Sequence, residues 1–182
     1  MIAQEDSPLN VPKAIKVFTG KFRTVVRVIY KNLHYEFLQS HDSVKVLAVR
    51  PDDSIALVKQ ARPAIKRSTI EIPGGAIEQG EEPLDAAKRE LKEETGVTAS
   101  RWDELLLPTA NSPGQSTERS YLFLARNLEV GPPEREASEQ GMEHYWLPAE
   151  EYEQGFVSGI YDDLVSYAAV VTYLRNIGKF QS

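Results

Sequence analysis

Arg89, Glu90, Glu93 and Glu94 crowd one short stretch of this 182-residue sequence and are its residues best suited to chemistry. They fall in Pro83–Thr95, which the pattern predicts as a helix. Proline sits in the first turn, Asp85 lies near the start, and Gly96 stops it. At about 100° per residue, Leu84, Ala87 and Leu91 form the buried stripe, and Glu94, Glu90 and Glu93 follow along one flank beside it. Three carboxylates then share a face in the last turns, where the helix macrodipole favours cations instead. Like charges at i,i+3 and i,i+4 each cost roughly 0.2–0.5 kcal/mol even when exposed. A bound divalent cation reverses that sign. With only oxygen ligands on offer, Mg²⁺ or Mn²⁺ is the natural choice, since zinc would draw on His or Cys. The plainer reading is a solvated glutamate face with Arg89 paired to Glu93, and the helix alone does not separate the two.

The surrounding spacing does. Gly75 is followed after five residues by Glu81, and after seven more comes Arg89-Glu90-Leu91-Lys92-Glu93-Glu94-Thr95-Gly96-Val97. This resembles the Nudix box, G-x5-E-x7-R-E-U-x-E-E-x-G-U with U aliphatic, at every fixed position. Seven fixed letters at about one in fifteen each coincide by chance on the order of 10⁻⁸ per start. The resemblance implies an α/β fold, the Nudix α/β/α sandwich with a mixed central sheet. It also implies Mg²⁺-dependent hydrolysis of a nucleoside-diphosphate compound, with Mn²⁺ as a possible substitute. On it, Glu90 and Glu94 are metal ligands, and Glu93 is a further ligand or a catalytic base. Gly74 offers its carbonyl to the metal, while Glu81 and Arg89 orient the ligands. Gly75 and Gly96 are turn residues, and a helix stop at Gly96 needs no enzyme to explain it.

Substrate choice lies outside the box. Lys59-Gln60-Ala61-Arg62-Pro63, then Ile70-Glu71-Ile72-Pro73-Gly74-Gly75, and then Ser112-Pro113-Gly114, with Pro113 sixteen positions beyond Val97, are similar to the ADP-ribose pyrophosphatase branch. Ala61 in place of an aromatic puts packing near the substrate in doubt, and Gly74 in place of alanine is tolerable for a carbonyl ligand. The resemblance makes Arg62 a contact to the terminal phosphate or sugar, with a surface strand-end charge as the plainer alternative. It makes Glu71 a contact to base or metal, and Pro113 part of the substrate loop. The base is expected in the acidic loop Gly131–Glu143, at Glu139 with Glu136 next, although such loops are commonly just solvated. ADP-ribose is favoured, giving AMP and ribose 5-phosphate. GDP-mannose or a broad range of nucleoside diphosphate sugars is the alternative, and a non-catalytic ADP-ribose sensor is the rival from another class. Members of this branch are commonly homodimers, which assigns residues 1–42 to an N-terminal β extension with dimer contacts and 43–182 to the hydrolase domain.

The elements that must position these residues are legible in part. Val25, Val26, Val28, Ile29 and Tyr30 form a β-rich run, and Leu33, Tyr35 and Phe37 alternate with polar residues across a Lys31-Asn32 hairpin turn. Further strands are expected at Val44–Val49, Ile55–Lys59, Ile70–Ile72, Tyr121–Ala125 and Glu143–Leu147. A closing helix is expected through Leu164, Tyr167, Ala168, Val171 and Leu174. Net charge is −6, which disfavours an extended nucleic-acid partner. Without cysteine there are no disulfides and no thiolate ligands. No run of about 18 apolar residues predicts a membrane span, and Met1–Asn10 is polar, so a cytoplasmic location is the expectation.

Overall fold

β-branched and aromatic side chains suit a pleated, half-buried surface, and they crowd residues 24–37. The computed structural model, which describes residues 12–21, 23–134 and 141–180, folds that stretch as an antiparallel pair. These strands are β2 (Thr24–Tyr30) and β3 (Leu33–Gln39), with β1 (Ile15–Thr19) on the other edge of β2. Lys31 and Asn32 make the expected turn, both at positive φ (51° and 64°), the signature of a type I′ hairpin. The chain divides into two compact units. One holds Met1–Ser40 with Ser112–Glu118, and the other holds His41–Asn111 with Arg119–Ser182.

In the larger unit the order is β4 (Ser43–Ala48), β5 (Ser54–Arg62), a 3₁₀ turn (Pro63–Ile65), β6 (Arg67–Glu71), α1 (Pro83–Thr95), β7 (Val97–Ala110), β8 (Arg119–Val130), β9 (Glu143–Pro148), α2 (Ala149–Val157) and α3 (Leu164–Asn176). β8 runs parallel to β4 and antiparallel to β7, and β5 pairs antiparallel with both β6 and β9. Alternation along β4 and β8 decides the layers. Val44, Val46, Ala48, Phe123 and Ala125 pack with Ala86, Ala87 and Leu91 of α1. Leu47, Val49, Leu122 and Leu124 pack with Tyr152 of α2 and Ala169, Val170, Tyr173 and Leu174 of α3. The result is the expected helix–sheet–helix sandwich with mixed strand directions.

Two elements escape the sequence reading. β7 carries Arg101, Asp103, Glu104 and Pro108, so it has no clean period of two, and its register is set by pairing along β8. α2 is a nine-residue helix whose N-cap is Pro148, with no side-chain cap. β5 and β8 also run beyond the expected ends. Their outer residues are mostly polar, and pairing with β6 and β7 carries the strands past the apolar runs.

Candidate active site

α1 takes the expected bounds. Gly96 at φ +73° forms the left-handed C-cap, its N–H donating to the Lys92 carbonyl at 2.8 Å. A Cβ there would stand 2.1 Å from the Gly131 carbonyl oxygen, so the end of β8 lies directly against the helix stop. The stripe is wider than expected, because Ala86, Glu90 and Glu94 are buried as well as Ala87 and Leu91. Glu90 is 7% exposed and Glu94 2%. That decides against a solvated glutamate face, since little of either side chain meets solvent and burial opposes a carboxylate's charge.

Arg89 organises the exposed side of this cluster. Its Nε and Nη2 donate to the two oxygens of Glu81 at 2.9 and 3.0 Å. Nη1 donates to Glu90 Oε1 at 2.8 Å and Glu93 Oε2 at 3.0 Å, and Nη2 also reaches the Ala76 carbonyl at 3.1 Å. The Arg89–Glu93 pair of the plain reading exists, but as one contact among several. Hydrogen bonds to Glu81 first, then to Glu90 and Glu93, push the guanidinium pKa up, so Arg89 is permanently charged.

The loop Pro73-Gly74-Gly75 lies against the buried carboxylates. Pro73 and Gly75 carbonyls accept from the Val46 and Val44 N–H groups of β4 at 2.8 and 2.9 Å. Gly74 between them turns its N–H the other way, donating to Glu94 Oε2 at 2.9 Å. A Cβ on Gly75 would stand 2.4 Å from Glu90 Oε1, so only glycine lets the carboxylate pack this closely. Among the described residues no three acidic or histidine side chains close on one point as they stand. Instead the carboxylates lean on Arg89 and on the Gly74 backbone. Chemically the set fits a hard divalent cation: its donors are all oxygens, two of its carboxylates are buried, and a backbone cradle abuts them.

A second cluster stands on β4, β5 and β6. Glu71 is 4% exposed. It accepts from Arg62 Nε at 2.8 Å and Nη2 at 2.6 Å, from Lys45 Nζ at 2.9 Å, and from the Thr69 hydroxyl. Burial works to raise the Glu71 carboxyl, but the Arg62 hydrogen bonds, the Lys45 charge and the Thr69 bond outweigh it and hold it well below the ordinary range. Arg62 is itself driven up by its bonds to Glu71, and its side chain stays 40% exposed. It is therefore more than a strand-end charge: one edge is clamped on a buried carboxylate and the rest is open. Both Glu71 oxygens are already engaged, which suits a counter-ion that holds cations better than a direct contact to base or metal.

Pro113 lies in Ser112–Glu118, within the smaller unit. That loop is bonded to the end of β3, where Leu38 N–H donates to the Gln115 carbonyl and Thr117 N–H to the Leu38 carbonyl. Glu136 and Glu139 lie outside the described residues. The segment leading to them is fixed at Glu134, whose N–H donates to the Glu93 carbonyl at 3.0 Å and whose carboxylate meets Lys92 at 2.9 Å. Glu143 opens β9 beside Lys59.

Lys45, Thr69 and Ser166 are the residues the sequence reading missed. Lys45 alone left a signal, a single lysine inside the apolar strand Val44–Ala48. Ser166 had none, because its role is defined by a partner 94 residues away.

The NUDIX domain family matches residues 39–164. An ADP-ribose pyrophosphatase of Bacillus subtilis is 42% identical over 106 residues, covering 57% of this chain and 56% of its own. Another ADP-ribose pyrophosphatase, from Mycobacterium tuberculosis, is 33% identical over 138 residues, 75% of this chain and 66% of its own. A methanol dehydrogenase activator of Bacillus methanolicus is 38% identical over 93 residues, 51% and 50% of the two chains. This chain thus spans between half and two thirds of the length of these curated relatives. The crystal structure of an ADP compounds hydrolase superposes with a TM-score of 0.75 over 93% of this chain and 96% of that one, at 16% identity, which shows a shared fold.

Proposed function

The chain belongs to the Nudix family, and from that premise we propose that it hydrolyses the diphosphate bond of ADP-ribose to AMP and ribose 5-phosphate. The observation that carries this reading is the pairing of two clusters beside one glycine loop. Glu94 is bonded to the Gly74 N–H, and Lys45 lies beside the same loop, its Nζ donating to the Ile72 carbonyl at 3.3 Å. Buried carboxylates that suit a cation and a cation pair that suits an anion thus flank the same backbone. Relatives named ADP-ribose pyrophosphatase support the choice of substrate.

Glu90, Glu94 and Glu93, with the Gly74 carbonyl, would hold Mg²⁺, with Mn²⁺ as a substitute. When bound, the cation supplies positive charge against the diphosphate and acidifies water. The chain's own residues do the rest. Arg62 presents its open edge to phosphate or sugar oxygens, and Glu71 keeps that guanidinium in one orientation. Arg89 holds Glu90 and Glu93 on the loop side of α1 and is tied by Glu81. A carboxylate takes the proton from the water that attacks phosphorus as the bridging P–O bond breaks, and the leaving phosphate departs as its anion. We assign that base to Glu139, with Glu93 and Glu136 behind it.

The same reading takes residues 1–42 as a dimer extension acting beside a hydrolase domain of 43–182. Ile15, Phe18 and Leu33 of the small sheet are 64%, 62% and 60% exposed, an apolar surface suited to a second copy. No described helix is long and apolar enough to cross a membrane; a cytoplasmic location remains part of the proposal.

The test is a panel of ADP-ribose, GDP-mannose, UDP-glucose and diadenosine polyphosphates with Mg²⁺, products identified by mass spectrometry. ADP-ribose should be converted fastest. Preference for GDP-mannose would move the substrate and keep the reaction, whereas tight ADP-ribose binding without turnover of anything would make the chain a sensor.

A further inference from the structure

The glycine loop is fixed not only by β4 but also by the closing helix. Ile72, the residue before Pro73, is completely buried. Its N–H donates to Ser166 Oγ at 2.9 Å. Ser166 sits in the first turn of α3 and has no solvent exposure. Its hydroxyl donates to the Asp163 carboxylate, and its N–H donates to Asp163 Oδ2 at 2.8 Å, with Asp163 as the N-cap of α3.

A serine hydroxyl has one proton and two lone pairs. With the proton committed to Asp163, a lone pair is left facing the Ile72 N–H. Capping alone explains the bond to the Ser166 N–H. It does not explain why the hydroxyl then receives the backbone N–H of Ile72, the residue just after β6 and 94 positions earlier. Two residues beyond Ile72, the Gly74 N–H holds Glu94. The chain of contacts therefore runs Asp163, Ser166, Ile72, Gly74, Glu94.

We infer that Ser166, oriented by Asp163, is a positioning residue for the metal-binding loop: it sets where the Gly74 backbone meets Glu94, without touching metal or substrate. This rests on the metal site of the proposed function. Without the Ser166 acceptor, a buried N–H loses its partner. The backbone then shifts to recover one, and Gly74 moves with it. Groups behind metal ligands typically change affinity about 10- to 100-fold when removed.

The experiment uses the full chain, with Mn²⁺ binding read by electron paramagnetic resonance in the absence of substrate, well below each variant's Tm. Ser166→Ala should weaken Mn²⁺ binding by about tenfold or more. Ser166→Cys keeps the side-chain shape, with a slightly larger atom, should the alanine variant not fold, and its weakly accepting sulfur should give a smaller loss in the same direction. Tyr173→Phe, on the same helix as Ser166, is the stability control, since it removes a hydroxyl that donates to Asp53. It should lower Tm and leave Mn²⁺ affinity unchanged. Affinities of the Ser166 variants equal to that of Tyr173→Phe would overturn the inference. A wild-type chain that binds no Mn²⁺ would overturn both the inference and the metal site beneath it.

Discussion

Around Arg89 one guanidinium serves three carboxylates, Glu81, Glu90 and Glu93. Around Glu71 one buried carboxylate serves two cations, Arg62 and Lys45. The two clusters are charge-reversed versions of one arrangement, a single central ion shared among partners of opposite sign. They differ in what they still want. The first suits an added cation and the second an added anion, and a metal–diphosphate complex supplies both. They also differ in openness. Glu90 and Glu94 are closed in by α1 and the glycine loop, while Arg62 keeps one side to solvent. On the proposed function, the buried carboxylate half would take the metal and the open Arg62 edge the phosphate or sugar oxygens.

The largest effect is expected on the carboxylate side. Glu94→Gln keeps the shape and the Gly74 contact but loses the charge, so turnover should fall by more than about 100-fold, beyond what groups behind the ligands supply. Circular dichroism should show an unchanged fold. Near-normal turnover in that variant would remove Glu94 from the site. Next comes Glu139→Gln, for which kcat should drop at least about 10²-fold, the lower end for general-base catalysis. A loss under about tenfold would hand the role to Glu93 or Glu136. On the cationic side, Arg62→Ala removes charged hydrogen bonds worth roughly 1.5–3 kcal/mol. kcat/KM should fall about 10- to 100-fold, mostly through KM, while Mn²⁺ affinity is kept. A loss of metal affinity equal to that of Glu94→Gln would mean the two clusters are not separate in function.

The smallest effect is one of pH. The Glu71 carboxyl is held below its ordinary value of 4.5 in the folded chain. A depressed carboxyl contributes stability that is present above that value and lost as pH falls below it. The wild type should therefore lose stability more steeply between about pH 5 and pH 3 than Glu71→Gln, although the variant is less stable at neutral pH. Denaturant midpoints across that range read the slopes, and parallel slopes would deny Glu71 its place as the shared counter-ion.

The carboxylate cluster was legible in the sequence and the cationic one only half so. Pro83, Asp85 and Gly96 bound α1, and the spacing from Gly75 to Val97 names its carboxylates, because all of that information is local. Arg62 and Glu71 could be picked out as residues, but not as partners, since only the antiparallel register of β5 with β6 brings them together. Lys45 and Ser166 depend on contacts with Glu71 and Ile72, made by chain crossovers that no periodicity records. β7 was hidden for a similar reason: Pro108 and the charges on it argue against a strand, and pairing along β8 overrides them.

The most direct test of the account follows ADP-ribose with the purified chain in Mg²⁺ and, in parallel, after chelation by EDTA, measuring AMP and ribose 5-phosphate. Equal amounts of the two products are expected with Mg²⁺, almost none with EDTA, and recovery when Mg²⁺ or Mn²⁺ is restored. Undiminished turnover in EDTA, or no AMP in Mg²⁺, would overturn the proposed reaction.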